Sequence, residues 1–277
     1  YLNEMKQITM KNILIFVFGI LLVGCMRTKL PKDQIPTHDT VTLASTKVNE
    51  NRVINIWTPP GYETSNIAYP VLYMADGGIK EDFPHIANTL EKLIMEKSIP
   101  PFILVGIENT DRRRDLSGFS ETEYDKQFCP LTDGAKDFRA FIMDELLAEI
   151  EAKYRVTSKK GIIGESLSGL FVMETFMLTP EAFDYYIAFD PSLWWNNHYL
   201  VRNAEQLLEK FPEQKKRLWF AGSSVPDISL HTNELSRFLE KKAPKNLTWT
   251  YSDEPNEKHS TIFRATKEKA LIWCLNE

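Results

Sequence analysis

Gly161-Ile162-Ile163-Gly164-Glu165-Ser166-Leu167-Ser168-Gly169-Leu170-Phe171-Val172-Met173 is the stretch that decides the fold of this chain. The apolar run Gly161–Ile163 predicts a buried strand, and Leu170–Met173 continues a helix. Ser166 stands at the apex of the sharp turn between them. Such a turn lifts the hydroxyl clear of a sheet and points the first amides of the helix at whatever the serine attacks. Strand and helix backbones nearly touch there, so small residues are needed two positions either side of the serine. Gly164 and Ser168 meet that need, with serine in place of the usual glycine at the second position.

Outward from this turn, short β-rich runs alternate with longer amphipathic ones. Val41–Ser45 and Arg52–Thr58 predict paired antiparallel strands joined around Asn49-Glu50-Asn51. Tyr69–Ala75 and Phe102–Ile107 are continuous apolar runs of the kind buried in parallel sheets. Ile86–Ile94 has helical spacing, and so does the stretch from about Ala135 to Tyr154, with Phe138, Phe141, Ile142, Leu146, Leu147 and Ile150 on its inner stripe. Tyr185–Phe189, Arg217–Ala221 and Leu247–Tyr251 predict three further strands, and a helix over about Ile262–Leu275 closes the chain. This alternation predicts an α/β fold: a mostly parallel, doubly wound sheet with helices on both faces. No internal repeat and no second folded domain is visible.

The first segment reads differently. Lys11 precedes an apolar run from Ile13 to Gly24, short for a bilayer span but suited to a signal sequence, and it closes on Leu22-Val23-Gly24-Cys25. These four residues resemble a bacterial lipobox, with Cys25 as the lipidation site. The expected organisation is a lipoprotein signal peptide over 1–24, a lipidated N-terminus and tether over 25–40, and the catalytic domain over 41–277. The expected location follows: an exported lipoprotein, membrane-anchored, facing periplasm or cell surface.

The chain has 277 residues and a formal net charge of −5, which gives no reason to expect nucleic-acid binding. Cys129 and Cys274 are the cysteines left after Cys25, and their separation in sequence leaves open whether they pair. No CxxC, HExxH or clustered His/Cys spacing suggests a metal, and none is expected.

A serine hydroxyl becomes a nucleophile when a neighbouring base takes its proton. Among five histidines, His259 lies on the loop after the last predicted strand, where a base completes the chain order nucleophile, acid, base. His85 and His198 are second choices for a place in the pocket; His38 and His231 read as surface. For the acid, Arg217–Ala221 leads into Gly222-Ser223-Ser224-Val225-Pro226-Asp227, and Asp227 is the expected residue. Glu234, Asp253, Glu254 and Glu257 compete with it, and a Ser–His dyad without an acid is the remaining option. The oxyanion needs backbone donors: the amide of Leu167, and amides of Gly77 and Gly78 after the Tyr69–Ala75 strand.

Trp57-Thr58-Pro59-Pro60-Gly61-Tyr62, Tyr69–Gly77, Val105–Leu116, Gly164–Leu170 and Asp190-Pro191-Ser192-Leu193-Trp194-Trp195, in that order, resemble the esterase D-like branch of the α/β-hydrolases, among them the enterochelin and salmochelin siderophore esterases. The resemblance runs from about Val41 to the C-terminus. It implies an α/β-hydrolase fold, serine esterase activity on small-molecule esters of siderophore type or carbohydrate-linked, no cofactor, Ser166 as nucleophile and His259 as base. Glu165, where relatives often have histidine, and Ser168 are departures from the family pattern. Trp194 and Trp195 follow a predicted strand end and are candidates for an aromatic substrate wall, or for a core edge. Arg112 and Arg114 are candidates for an anionic substrate, or for local salt bridges to Asp111 or Asp115. The rival functions are a non-catalytic binding lipoprotein on a hydrolase scaffold and an acyltransferase using the same residues.

Overall fold

The structure, a computed structural model, describes residues 33–276. Among these an eight-stranded sheet runs in the order β1-β2-β4-β3-β5-β6-β7-β8. The strands are β1 (Asp39–Ser45), β2 (Glu50–Trp57), β3 (Tyr69–Met74), β4 (Ile103–Ile107), β5 (Val156–Glu165), β6 (Tyr185–Phe189), β7 (Lys216–Gly222) and β8 (Leu247–Asp253). β2 is antiparallel to both of its neighbours, and every pair from β4 to β8 is parallel. This is the expected doubly wound sheet with an antiparallel ribbon at one edge.

Alternation along the strands assigns the two faces. Val71, Tyr73, Ile103, Val105, Ile162, Tyr186 and Leu218 point to one side. Leu72, Met74, Leu104, Ile163, Ile187 and Trp219 point to the other. Successive side chains of a strand leave on opposite faces, so both faces need cover and the strands read as unbroken apolar runs. Helices α1 (Phe83–Met95) and α7 (Ile262–Leu275) supply apolar residues to the Leu72 face. Helices α2 (Gly134–Phe141), α3 (Leu147–Lys153), α4 (Leu167–Leu178) and α6 (Pro226–Lys242) cover the other, and a short α5 (Trp195–Arg202) lies between β6 and β7. Nearly every residue of α4 is buried, as expected of the helix that follows a nucleophile turn into the core.

Two local departures from the expectations are informative. The predicted helix over 135–154 is interrupted by a π-turn, Ile142–Leu146, which lets Phe141, Ile142 and Leu146 all reach the core. The segment after β6 reads as a loop in sequence but forms α5, inside which Asn196, Asn197 and His198 have left-handed backbone with φ of 50°, 51° and 48°. Asparagine and histidine tolerate that region better than branched residues, so the sequence permits it without announcing it.

Cys129 packs in the core on one face of the sheet and Cys274 in the core on the other; both are free thiols. No helix of the described residues is long and apolar enough to cross a membrane. The signal-peptide and lipidation expectations, Cys25 included, and the first half of the tether lie outside the described residues.

Candidate active site

The sheet brings the site together because all of its parallel strands end on one edge. β5 ends at Glu165, and Ser166 follows with φ 59° and ψ −114°, a strained conformation for a side chain-bearing residue. Four contacts hold the turn. The Ser166 N–H donates to the Phe189 carbonyl at 2.9 Å, and the Ser166 carbonyl accepts from the Ser192 N–H at 3.2 Å. The Ser168 hydroxyl accepts from the Glu165 N–H and donates to the Glu165 carbonyl, both at 2.8 Å. A Cβ at Gly164 would lie 2.5 Å from the Ser168 carbonyl oxygen, which explains the glycine there. Ser168 therefore closes the turn through its hydroxyl where a glycine would only make room.

His259, on the loop between β8 and α7, places Nε2 3.0 Å from the Ser166 Oγ. Its Nδ1 lies 2.6 Å from Oδ2 of Asp190. Asp190 is fully buried and directly follows β6, with φ 47°. Ser166, His259 and Asp190 thus form a continuous hydrogen-bonded line from loops after β5, β8 and β6. The acid beside the histidine is Asp190 and not Asp227, which is exposed in the first turn of α6 and lines a neighbouring cleft. The reason is the sheet order: β6 lies next to β5, so a residue at its end reaches the histidine directly, whereas Asp227 is carried away at the start of α6. Asp190 ends an apolar strand and precedes Pro191, the one sequence signal that marks it.

The electrostatics of the site fit this arrangement. The hydrogen bond to Asp190 raises the His259 pKa above its ordinary value, against the opposing effect of burial. Burial pushes the Glu165 carboxyl up to about 7; the charge of His259 opposes this, and Asp82, Asp190 and Asp76 add to it. Glu165 is thus a half-buried acid facing the same cluster as the base.

The expected oxyanion donors divide. Leu167 is the first residue of α4, and the helix itself leaves such an amide unpaired. The two glycine amides are committed elsewhere: Gly77 N–H donates to the Ile107 carbonyl at 2.9 Å and Gly78 N–H to Glu81 Oε2 at 2.7 Å. Gly77 serves packing instead, since a Cβ there would sit 2.3 Å from the Gly106 Cα on β4.

The expected substrate-binding residues divide too. Arg112 makes a two-pronged pair with Asp76 through Nε and a terminal nitrogen, at 2.5 and 2.8 Å, and its charge acts on both Glu165 and His259. Arg114 pairs with Glu50 at 2.6 Å and with Asp115, which also holds the buried Arg52 at 2.7 Å, so its guanidinium is taken up in a local ion-pair group. Trp195 is buried and donates its Nε1–H to the Gly118 carbonyl at 3.1 Å, so it belongs to the core. Trp194 lines a cleft of about 590 Å³ with Tyr124, Phe128, Asp227, His198 and His231. The lining of this cleft comes in part from the segment after β6 (Trp194, Asn197, His198) and in part from the segment after β7 (Val225, Asp227, Ile228, His231). A larger hollow of about 780 Å³ is lined by Pro70, Phe102, Thr157 and Tyr185, at the opposite edge, and has no catalytic groups.

Among the other histidines, His85 is buried against Phe263 and faces no cleft. His231, expected at the surface, is buried. Its ring stacks on His198 with centroids 4.5 Å apart. Burial and the proximity of His231 lower the His198 pKa.

The family described as "Putative esterase" matches residues 45–269. The ferri-bacillibactin esterase BesA of Bacillus subtilis is 29% identical over 87% of this chain and 93% of its own length. The apo-salmochelin esterase of Escherichia coli is 23% identical over 81% of this chain and 76% of its own. The crystal structure of an IroE-like serine hydrolase from Shewanella oneidensis superposes with a TM-score of 0.77 at 29% identity, covering 86% of this chain and 79% of that one. The fold, the order of the motifs and these likenesses agree: the chain belongs to the "Putative esterase" family of α/β-hydrolases and is an enzyme that hydrolyses esters.

Proposed function

We propose that the chain is a serine esterase working through an acyl-enzyme on Ser166, with an aryl-bearing siderophore-type ester as its substrate class. The observation that carries the mechanism is the unbroken line Ser166 Oγ–His259 Nε2, 3.0 Å, and His259 Nδ1–Asp190 Oδ2, 2.6 Å. Ser166 Oγ attacks the ester carbonyl while His259 Nε2 takes its proton. Asp190 accepts from Nδ1–H, which fixes the tautomer and stabilises the imidazolium that forms. The Leu167 amide, at the positive end of α4, donates to the tetrahedral oxyanion. Collapse expels the alcohol, which collects the proton from His259. Water, deprotonated by the same nitrogen, then releases the acid and restores the serine.

Two features favour siderophore-type esters over the sugar-linked acetyl or feruloyl esters handled by related branches. Two of the relatives, BesA and the apo-salmochelin esterase, are named for siderophores, and the cleft that Trp194 lines also has Tyr124 and Phe128 in its walls, with Phe128 edge-on to Trp194 at 5.0 Å. Aromatic walls suit the flat arms of a catecholate. Lipidation at Cys25 would place this activity on the outer side of a membrane, where iron carriers arrive.

The test is hydrolysis of p-nitrophenyl butyrate and of a cyclic tricatecholate triester by the full chain in detergent, beside Ser166→Ala, with fluorophosphonate labelling of both. Turnover and labelling that vanish together in Ser166→Ala support the mechanism. Turnover of the small ester without the triester would sink the substrate class alone.

A further inference from the structure

We propose that His198, His231 and Glu234 form a binding site for a divalent transition ion of the zinc class on the wall of the aromatic cleft. One ligand atom from each of the three lies within 4.8 Å of the others. His231 and Glu234 are three residues apart on α6, hence on one face of that helix. His198 comes from the other side of the cleft, carried by the left-handed turn Asn196–His198.

The strongest single observation concerns His231. It is 9% exposed, and its Nδ1 has no hydrogen-bond partner. The closest acidic atom is Glu234 Oε2 at 3.6 Å, too far for a hydrogen bond. A buried imidazole nitrogen normally finds a partner, so one left bare beside a second imidazole and a carboxylate calls for an explanation. A shared cation supplies it: two imidazoles and one carboxylate are the donor set that zinc takes, with bonds of about 2.0–2.2 Å. Such bonds put ligand atoms roughly 3.3 Å apart, so the site closes by about an ångström or so on loading. Glu234 is exposed and His198 half-buried, so loading turns the His198 ring out of its stack on His231, which brings the ring lone pairs to one point, and swings the Glu234 carboxylate in.

Three protein ligands leave one or more positions open, and the cleft that His198 and His231 line also has Asp227, Tyr124, Phe128 and Trp194 in its walls. The site would also tie the segment after β6 to α6, the two sides of the cleft. No redox step is involved: binding exchanges solvent ligands for two neutral imidazoles and a carboxylate.

The experiment uses the full chain without a histidine tag, in detergent, stripped with EDTA and titrated with zinc chloride by calorimetry, with melting followed in parallel. Wild type is expected to take one ion per chain at this site and to melt higher when loaded. Glu234→Gln and His198→Asn should each weaken binding at least about tenfold. The Glu234 side chain is 49% exposed and asparagine accepts left-handed backbone, so both variants should melt with the wild type in EDTA. Should either unfold, His231→Gln replaces it. Absence of stoichiometric binding, or a folded variant that binds as the wild type does, overturns the site.

Discussion

Ser223 holds both oxygens of the Asp190 carboxylate: its N–H donates to Oδ1 at 2.6 Å and its hydroxyl to Oδ2 at 2.8 Å. Ser223 directly follows β7, so the strand beyond β6 braces the acid that β6 presents. Two donors from one residue fix the direction of the carboxylate, which is what the Nδ1–H of His259 requires.

Replacing Asp190 with asparagine should therefore lower kcat by roughly 10⁴-fold, as a wrong histidine tautomer does in other triads. Asp227→Asn should leave kcat on p-nitrophenyl esters within a small factor of wild type. Steady-state rates of the two purified variants decide the matter; equal losses would return the acid to open competition.

Glu165→Gln should move the acid limb of kcat/KM to lower pH. His259 works as a base only when neutral, and the Glu165 charge favours its protonated form. Removing that charge lets the imidazole lose its proton earlier. The stability effect has its own sign. The folded Glu165 pKa is raised from 4.5 to about 7, so between those values the folded state binds more protons than the unfolded one, and stability is lost as pH rises through the window. Urea melts at pH 5 and pH 8 should show Glu165→Gln gaining on the wild type at the higher pH.

Ser168→Ala should destabilise by about 1–3 kcal/mol, the usual cost of stranding a buried polar group. It leaves the Glu165 N–H and carbonyl without the hydroxyl that satisfies both. Chemical denaturation gives the number, and Ser168→Gly compares the same loss with the usual family residue in place.

Reductant should not change the melting temperature. Cys129 and Cys274 are buried on opposite faces of the sheet, and a disulfide needs Cα atoms within about 7 Å. Thiol titration of the denatured, unreduced chain should find both free; a drop in Tm with reductant would contradict the fold.

The sheet, the turn at Ser166 and the histidine were legible because each depends on local pattern. An apolar run announces a buried strand, and a serine between such a run and a helix announces the turn. Asp190 was harder to read, since its role depends on β6 lying next to β5, a matter of sheet order and not of spacing. The Gly77 and Gly78 amides failed as oxyanion donors for the same kind of reason: the Ile107 carbonyl and the Glu81 carboxylate that occupy them lie 30 and three residues along the chain, and only the folded loop brings the first into reach. Trp194 and Trp195 adjoin in sequence and stay edge-on to each other at 6.1 Å, yet one lines the cleft and the other donates to the Gly118 carbonyl. The pairing of His198 with His231 crosses 33 residues and depends on a left-handed turn that no propensity predicts.

With Asp190 carried after β6, the segment that opens α6 carries no member of the Ser166–His259–Asp190 line. Val225, Asp227 and Ile228 line the cleft. Substrate range can drift, or be redirected in the laboratory, by varying these three positions while the hydrolytic machinery keeps its rate. A library there should yield altered ester preference at nearly constant turnover of small esters, a separation that an acid at position 227 would have forbidden.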